Sequence, residues 1–279
     1  MAEMVHGRAS EEGGKGDTAA PGPSCARRIP LRAGKCETPA GVSLNQFFGY
    51  FGSKHGLARR YPPPRHDVII EPFAGSAGYA TRHHRHRVIL VEKSPVVAGV
   101  WRYLIRSSVR DILSLPDLAD GQSARELDVC EEARALIGFW LGFGDAAPRY
   151  LRSTWMVKHP PDCTWGRTIR ARLASQVDKI RHWQIIEGSY ESAPDVQATW
   201  FVDPPYEVAG HVYTCPSAEL DFAALGAWCR ARRGQVVVCE NAGAEWLPFR
   251  PFRALNTVSN TPSTEAIWTN DIPPSERSR

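Results

Sequence analysis

The sequence predicts an α/β fold, a mostly parallel sheet covered by helices on both faces. Three observations carry that expectation. Short β-branched runs at 68–70, 87–91, 199–202 and 235–239 have the near-continuous apolarity of strands buried on both sides. Helical spacing recurs between them, in Val97, Val100, Trp101, Leu104 and Ile105 and again in Ile169, Leu173, Val177, Ile180 and Trp183, so strands and helices alternate. Two of the strands run into proline, at Glu71-Pro72 and Asp203-Pro204-Pro205, which has no N–H and cannot continue a ladder.

Composition sets the bounds. A chain of 279 residues suits one large domain, or a core domain with an insertion. A hydrophobic fraction of 43% with nine tryptophans supplies a sizeable core. No apolar run approaches the ~18 residues of a membrane helix, and the N-terminus has no apolar leader core, so a cytoplasmic protein without a membrane partner is expected. The seven cysteines form no Cys-x-x-Cys pair, which disfavours a disulfide framework or zinc ribbon; reduced thiols and no metal are expected. The net charge of +4 is modest, but its distribution is uneven. Between 146 and 185 stand eight cations (Arg149, Arg152, Lys158, Arg167, Arg170, Arg172, Lys179 and Arg181) against two acids, Asp162 and Asp178. Such a local field attracts nucleic-acid backbones, and Arg149, Arg152, Lys158, Arg167 and Arg170 are the expected phosphate-facing set.

In chain order, residues 1–44 are rich in Gly, Pro, Ala, Ser and charge without periodicity and read as a disordered tail. Order is expected from Asn45. The stretch 46–57 is aromatic and glycine-rich and leads into a short helix; Gly52 lets the backbone approach a ligand. Tyr50 and Phe51 can wall an adenine pocket with Lys54 pointing into it, although a packed aromatic segment with a solvated lysine fits these residues as well. After the strand ending at Glu71, the Ala74-Gly-Ser-Ala-Gly78 turn opens a helix, making the first half of a nucleotide-binding βαβ unit. It is not Gly-x-Gly-x-x-Gly, which disfavours a pyrophosphate cradle. The next strand ends at Glu92, 21 residues beyond Glu71, where an acid grips an adenosine ribose. A ribose acid without phosphate glycines favours adenosine without phosphates, and S-adenosylmethionine fits. The Arg82-His-His-Arg-His-Arg87 stretch reads as a solvated basic surface rather than a metal site.

Residues 95–144 look largely helical, with Ala133 to Leu141 a second apolar run. A break at 142–148 leads to a loop through 165 and an amphipathic helix over 167–183. A short strand at 184–187 precedes Gly188-Ser-Tyr190. Beyond the proline corner come a helix over 220–232, a strand at 235–240 and a last strand near 266–268, with 271–279 a frayed tail. The corner itself, Asp203-Pro204-Pro205-Tyr206, places a carboxylate, free carbonyls and an aromatic ring just outside a strand end, where open α/β sheets bind ligands. That set suits a planar amine: carboxylate and carbonyl accept from the NH2 group while the ring stacks on the π face. An ordinary strand-ending turn is the alternative.

Four features in this order resemble the Dam-like N6-adenine DNA methyltransferases, including small phage-borne members: the aromatic-glycine-lysine segment at 47–54, Glu-Pro-Phe-Ala-Gly at 71–75, the strand-end Glu92, and Asp-Pro-Pro-Tyr at 203–206. The resemblance spans about 45–270. It implies a Rossmann-like S-adenosylmethionine-dependent methyltransferase fold with a small inserted target-recognition region at about 107–183. It also implies a cofactor site of Tyr50, Lys54, Glu71, Pro72, Phe73, Ala74, Gly75, Glu92, Tyr190 and Asp203, and a catalytic corner of Asp203, Pro204, Pro205 and Tyr206. Some relatives carry an acid where this chain has Ser189. The activity implied is methyl transfer to the N6 amino group of a flipped adenine in double-stranded DNA, in a restriction-modification or phage setting. A cytosine or RNA amino group as acceptor, or a non-catalytic DNA-binding relative, are the competing expectations.

Overall fold

Five of the apolar runs pair side by side in parallel. The computed structural model describes residues 43–142, 144–152, 163–207, 217–256 and 262–270. Of the expected tails, 1–42 and 271–279 lie outside the described residues. Seven strands, β1 (Val68–Glu71), β2 (Arg87–Glu92), β3 (Gln184–Glu187), β4 (Ala198–Val202), β5 (Gly234–Asn241), β6 (Arg250–Asn256) and β7 (Pro262–Thr269), form one sheet in the order β3-β2-β1-β4-β5-β7-β6. The first five are mutually parallel, β7 is antiparallel to β5, and β6 is antiparallel to β7. The architecture is a mostly parallel α/β sheet compatible with a Rossmann-like fold.

The antiparallel edge departs from the sequence expectation, which had no strand at β6. Arg250, Pro251 and Arg253 break any apolar run there. An edge strand tolerates such residues because one side of it faces no partner strand.

Alternation along each strand divides the core in two. Ile69, Leu90, Phe201, Val237 and Cys239 face a layer that contains Trp101, Leu136, Phe139, Ile169 and Leu173 together with Phe47 and Phe48. Ile70, Ile89, Trp200, Val202 and Val238 face the opposite layer with Leu225 and Cys229. The first layer is built by α2 (Pro95–Arg106), α4 (Glu131–Leu141) and α5 (Arg167–Val177), the second by α6 (Phe222–Arg230); two short helices, α1 (Gly78–Arg82) and α3 (Val109–Leu113), complete the set. Local signals start several of them. Pro95 occupies the first turn of α2, where its missing N–H costs nothing. Ser108 and Asp111 form a reciprocal capping box on α3, and Asp221 accepts from the Ala224 amide to cap α6.

Two expectations need correction. The helical stretch at 95–144 is interrupted, with 114–130 irregular except for a 3-10 turn at Ala124–Glu126. The histidines at 83 and 84 are not solvated. His83 packs on the Tyr79 ring at 4.7 Å, where burial pushes its pKa down to about 4, and His84 is buried. Only Arg82 and Arg85 of that stretch are exposed. Among the described residues no cluster of three or more His, Cys, Asp or Glu could hold a metal ion, and no helix is long and apolar enough to cross a membrane.

Gly78 connects fold to site. A β-carbon there would stand 2.5 Å from the His55 nitrogen and 2.8 Å from the Lys54 carbonyl carbon, so α1 approaches the segment before β1 at backbone contact. Gly78→Ala should therefore destabilise the protein by about 1–3 kcal/mol. Gly56→Ala, with nothing within 4 Å of the added carbon, should fall within about 0.5 kcal/mol of wild type; urea denaturation of both variants checks the contrast.

Candidate active site

The chain runs outward from β1 through β2 to β3, then returns to the other side of β1 as β4. The carboxyl ends of β1 and β4 thus flank a topological switch point, the crevice where open α/β sheets bind ligands. A cavity of about 500 Å³ opens there.

One wall is made by the turn after β1. Pro72, Phe73, Ala74 and Gly75 all line the cavity. Gly75 has φ +45°, and a β-carbon would stand 3.0 Å from the Tyr50 ring, so glycine lets Tyr50 pack directly on the turn. Glu71 lies beneath. Its Oε1 accepts from the Ala80 amide at 2.5 Å, and burial raises its pKa to about 8, so it holds a proton at neutral pH. Glu92, at the end of β2, is also buried, and burial raises its pKa. Its Oε2 accepts from the Gly75 amide at 2.9 Å and its Oε1 from the Ser94 amide at 2.8 Å. A carboxylate oxygen has two lone pairs, so each keeps acceptor capacity. Beside it the Phe73 and Tyr190 rings stack at 5.6 Å with 24° between their planes, giving a flat apolar wall.

The inner end belongs to Asp203 and Lys54. Lys54 is buried, against the alternative of a solvated lysine. Its Nζ lies 2.7 Å from Oδ1 and 2.9 Å from Oδ2 of Asp203 and donates to the Gly52 carbonyl at 3.0 Å. Burial pushes Asp203 up to about 6, against the pull of the Lys54 charge and with the help of Glu265. The Lys54 ammonium is the closest charge to Oδ1, which takes no aligned hydrogen bond from a described residue.

The corner beyond differs in part from expectation. Pro205 lines the cavity, but Pro204 and Tyr206 do not. Pro204 is buried, and the hydroxyl of the half-buried Tyr206 donates to the buried Glu265 at 3.0 Å, where a phenol finds its acceptor. Lys54 Nζ lies over the Tyr206 ring, 4.8 Å from its centroid. The other residues expected at the cofactor site meet at the cavity: Tyr50, Lys54, Glu71, Glu92, Tyr190 and Asp203 with the 72–75 turn.

Sequence reasoning missed part of the lining. Glu191, Glu219, Leu220 and Asp221 also face the cavity. Asp221 was detectable as an N-cap before an apolar run, and the strand order places the start of that helix beside β4. Beside the protonated Glu71, the acids Glu92, Glu191, Asp203, Glu219 and Asp221 share the described lining with two cations, Lys54 and Lys93. A field of that sign favours a ligand of net positive charge.

The basic segment is less available than its composition suggested. Arg149 pairs with Asp145, Arg152 with Asp120 at 3.2 Å, and Arg170 with Asp117 at 2.8 Å. Arg152 and Arg170 also donate to the carbonyls of Trp165 and Leu115, and Arg172 lies over the Trp140 ring at 4.8 Å. Asp117, Asp120 and Asp145 all precede residue 146, outside the 146–185 stretch, so the local charge imbalance of that stretch is offset from earlier in the chain. Arg167 is exposed, and Lys158 lies outside the described residues.

No protein-family model matches the chain, and no curated protein matches it.

The protonated Glu71 has a measurable consequence. Its folded pKa of about 8 stands above its ordinary 4.5, so the stability tied to that proton is full below pH 4.5 and is lost as pH rises to about 8. Glu71→Gln keeps an acceptor for the Ala80 amide and does not titrate. Chemical denaturation at pH ~5, ~7 and ~9 should show the variant gaining on wild type across that window and levelling above it.

Proposed function

We propose that the chain is an S-adenosylmethionine-dependent DNA methyltransferase acting on the N6 amino group of an adenine flipped out of the duplex. One observation carries the reading: a single cavity at the switch point holds Glu92, an acid suited to ribose hydroxyls, and Asp203, an acid suited to an amino group. S-adenosylmethionine fits this cavity. Glu92 retains acceptor capacity for ribose hydroxyls, Phe73 and Tyr190 offer a wall for the adenine ring, and the acid-rich lining suits a ligand with a sulfonium and an ammonium against one carboxylate. When bound it supplies an electrophilic methyl group.

The chain's residues then have an acceptor to prepare. The N6 lone pair is delocalised into the adenine ring. A hydrogen bond from the amino group to Asp203 Oδ1 favours a pyramidal nitrogen with its lone pair aimed at the methyl carbon. As nitrogen gains the methyl group it must release a proton, and Asp203 is the carboxylate in reach. Much of the acceleration is positioning, with effective molarities on the order of 10⁵ M or more. The base must leave the stack to reach a site this enclosed.

Lys54 gives the entry step a specific form. Its ammonium lies over the Tyr206 ring and within 3.0 Å of both Asp203 oxygens, the place a target amino group would take. On this reading Lys54 leaves Asp203 as the base enters while keeping its bond to the Gly52 carbonyl, and that movement uncovers Tyr206 for stacking. Until then Lys54 compensates the buried Asp203 charge.

Transfer of labelled methyl groups to adenine-containing duplex DNA tests the reading, and Asp203→Ala should lower the rate by roughly 100-fold or more. Because Asp203 must be ionised to accept, kcat/KM should fall as pH drops through about 6. Transfer to structured RNA or to cytosine instead would overturn the adenine-DNA assignment. Duplex binding without measurable S-adenosylmethionine affinity would favour a binding module.

The DNA surface has its own test. If exposed Arg167 meets a phosphate, Arg167→Ala should reduce the salt slope of duplex binding by about 0.9. Arg170→Ala, which breaks the Asp117 pair instead, should leave that slope unchanged; filter binding across a salt series measures both.

A further inference from the structure

Behind Asp203, towards the antiparallel edge of the sheet, lies a buried polar cluster that the proposed chemistry does not use. Glu265 of β7 is 1% exposed. Its Oε1 accepts two phenolic hydroxyls, from Tyr61 at 2.6 Å and from Tyr206 at 3.0 Å. Tyr61 is itself held, stacked on Phe252 of β6 at 5.0 Å and edge-on to Phe201 of β4 at 5.0 Å. The β-hairpin delivers the acid, since Glu265 pairs across from Asn241 at the carboxyl end of β5. An aliphatic side chain would fill such a position without the cost of desolvating a carboxylate.

A second buried acid holds the same corner from the other face of the sheet. Glu240, one residue before Asn241 on β5, is fully buried. Its Oε2 accepts from the Glu207 amide at 3.2 Å and from Trp246 Nε1 at 3.1 Å, and its Oε1 accepts from the Asn241 amide. Successive strand residues point to opposite faces. The 203–206 corner is therefore tied on one side through the Tyr206 hydroxyl and on the other through the amide that follows it.

We propose that Glu265 is a positioning residue for this corner, fixing Asp203 through the Tyr206 hydroxyl and acting on it by charge across the buried cluster. The proposal rests on Asp203 being the amino-group acceptor. The groups that face Asp203 are Lys54 from the segment before β1, Glu71 of β1, Tyr61, Tyr206, Cys239 of β5 and Glu265 of β7. Lys54 is the single cation among them. Burial is the largest influence raising Asp203, and Glu265 adds to it.

Glu265→Gln and Glu265→Leu separate the two effects. Gln keeps an acceptor oxygen for the tyrosines and removes the charge, whereas Leu removes both. The carboxyl signal of Asp203 can be followed by carbon NMR in protein labelled at aspartate and assigned with Asp203→Asn. In Glu265→Gln its titration midpoint should fall by roughly one pH unit; an unchanged midpoint in the folded variant would overturn the proposal. In methyl transfer, Glu265→Leu should lower kcat roughly tenfold with KM for S-adenosylmethionine little changed, and Glu265→Gln should recover most of that loss. Loss of thermal stability in both variants with kcat intact would mean a purely structural role and would sink the idea. If Glu265→Leu does not fold, the NMR comparison decides alone. A shifted Asp203 midpoint in a protein that transfers no methyl group would uphold the coupling while rejecting the methyltransferase reading.

Discussion

A buried ammonium facing a half-buried carboxylate closes the inner end of the cavity. Lys54 comes from the segment before β1 and Asp203 from the end of β4, and neither charge could be buried there alone at acceptable cost. The pairing requires the 46–54 segment to lie across the crevice, and a network of small groups keeps it there. Ser76 Oγ donates to Ser53 Oγ at 2.8 Å, Gln46 Nε2 donates to the same oxygen at 3.1 Å, and Trp101 Nε1 donates to the Gly75 carbonyl at 2.7 Å. The absence of a side chain at Gly78 lets the backbones meet. Segment, turn and α2 thus form one rigid wall, and the cavity inherits its shape from that wall.

Three acids around the cavity are accommodated in three ways, and each suits a different task. Glu71 is neutralised by protonation and serves as a structural acceptor for α1. Glu92 is held by two backbone amides, which fix its direction and leave lone pairs facing the cavity. Asp203 is offset by the charge of the Lys54 side chain rather than by backbone amides. Glu265 extends this arrangement outward. Its pull on Tyr206 explains why the aromatic end of the corner stands behind the cavity rather than in it.

Much of the architecture could be read directly from residue order. The strands β1 to β5 were legible because each is a short apolar run closed by proline, glycine or a polar turn, and the ends at Glu71, Glu92 and Asp203 followed from those runs. β6 was not legible, since Arg250, Pro251 and Arg253 remove the run that would announce it. The burial of the histidines at 83 and 84 is hidden in the sequence for a related reason. Local composition counts charge but does not see that Tyr79 and Trp183 close over that stretch. Three arginines of the basic segment are paired rather than free for phosphates because their acidic partners, Asp117, Asp120 and Asp145, come from earlier residues.

Sequence alone determined the sheet class and the strand-end acids, because these depend on local period and on the proline and turn residues that end strands. Only the tertiary structure decided what each of them faces. Lys54 and Asp203 are 149 residues apart, Tyr206 and Glu265 are 59 apart, and no local pattern encodes either pairing. Both arise from strand order: β4 lies between β1 and β5, and the antiparallel return of β7 carries Glu265 back to the end of β5. The direction of a buried side chain is set by the partner that satisfies it, and that partner is chosen by the fold.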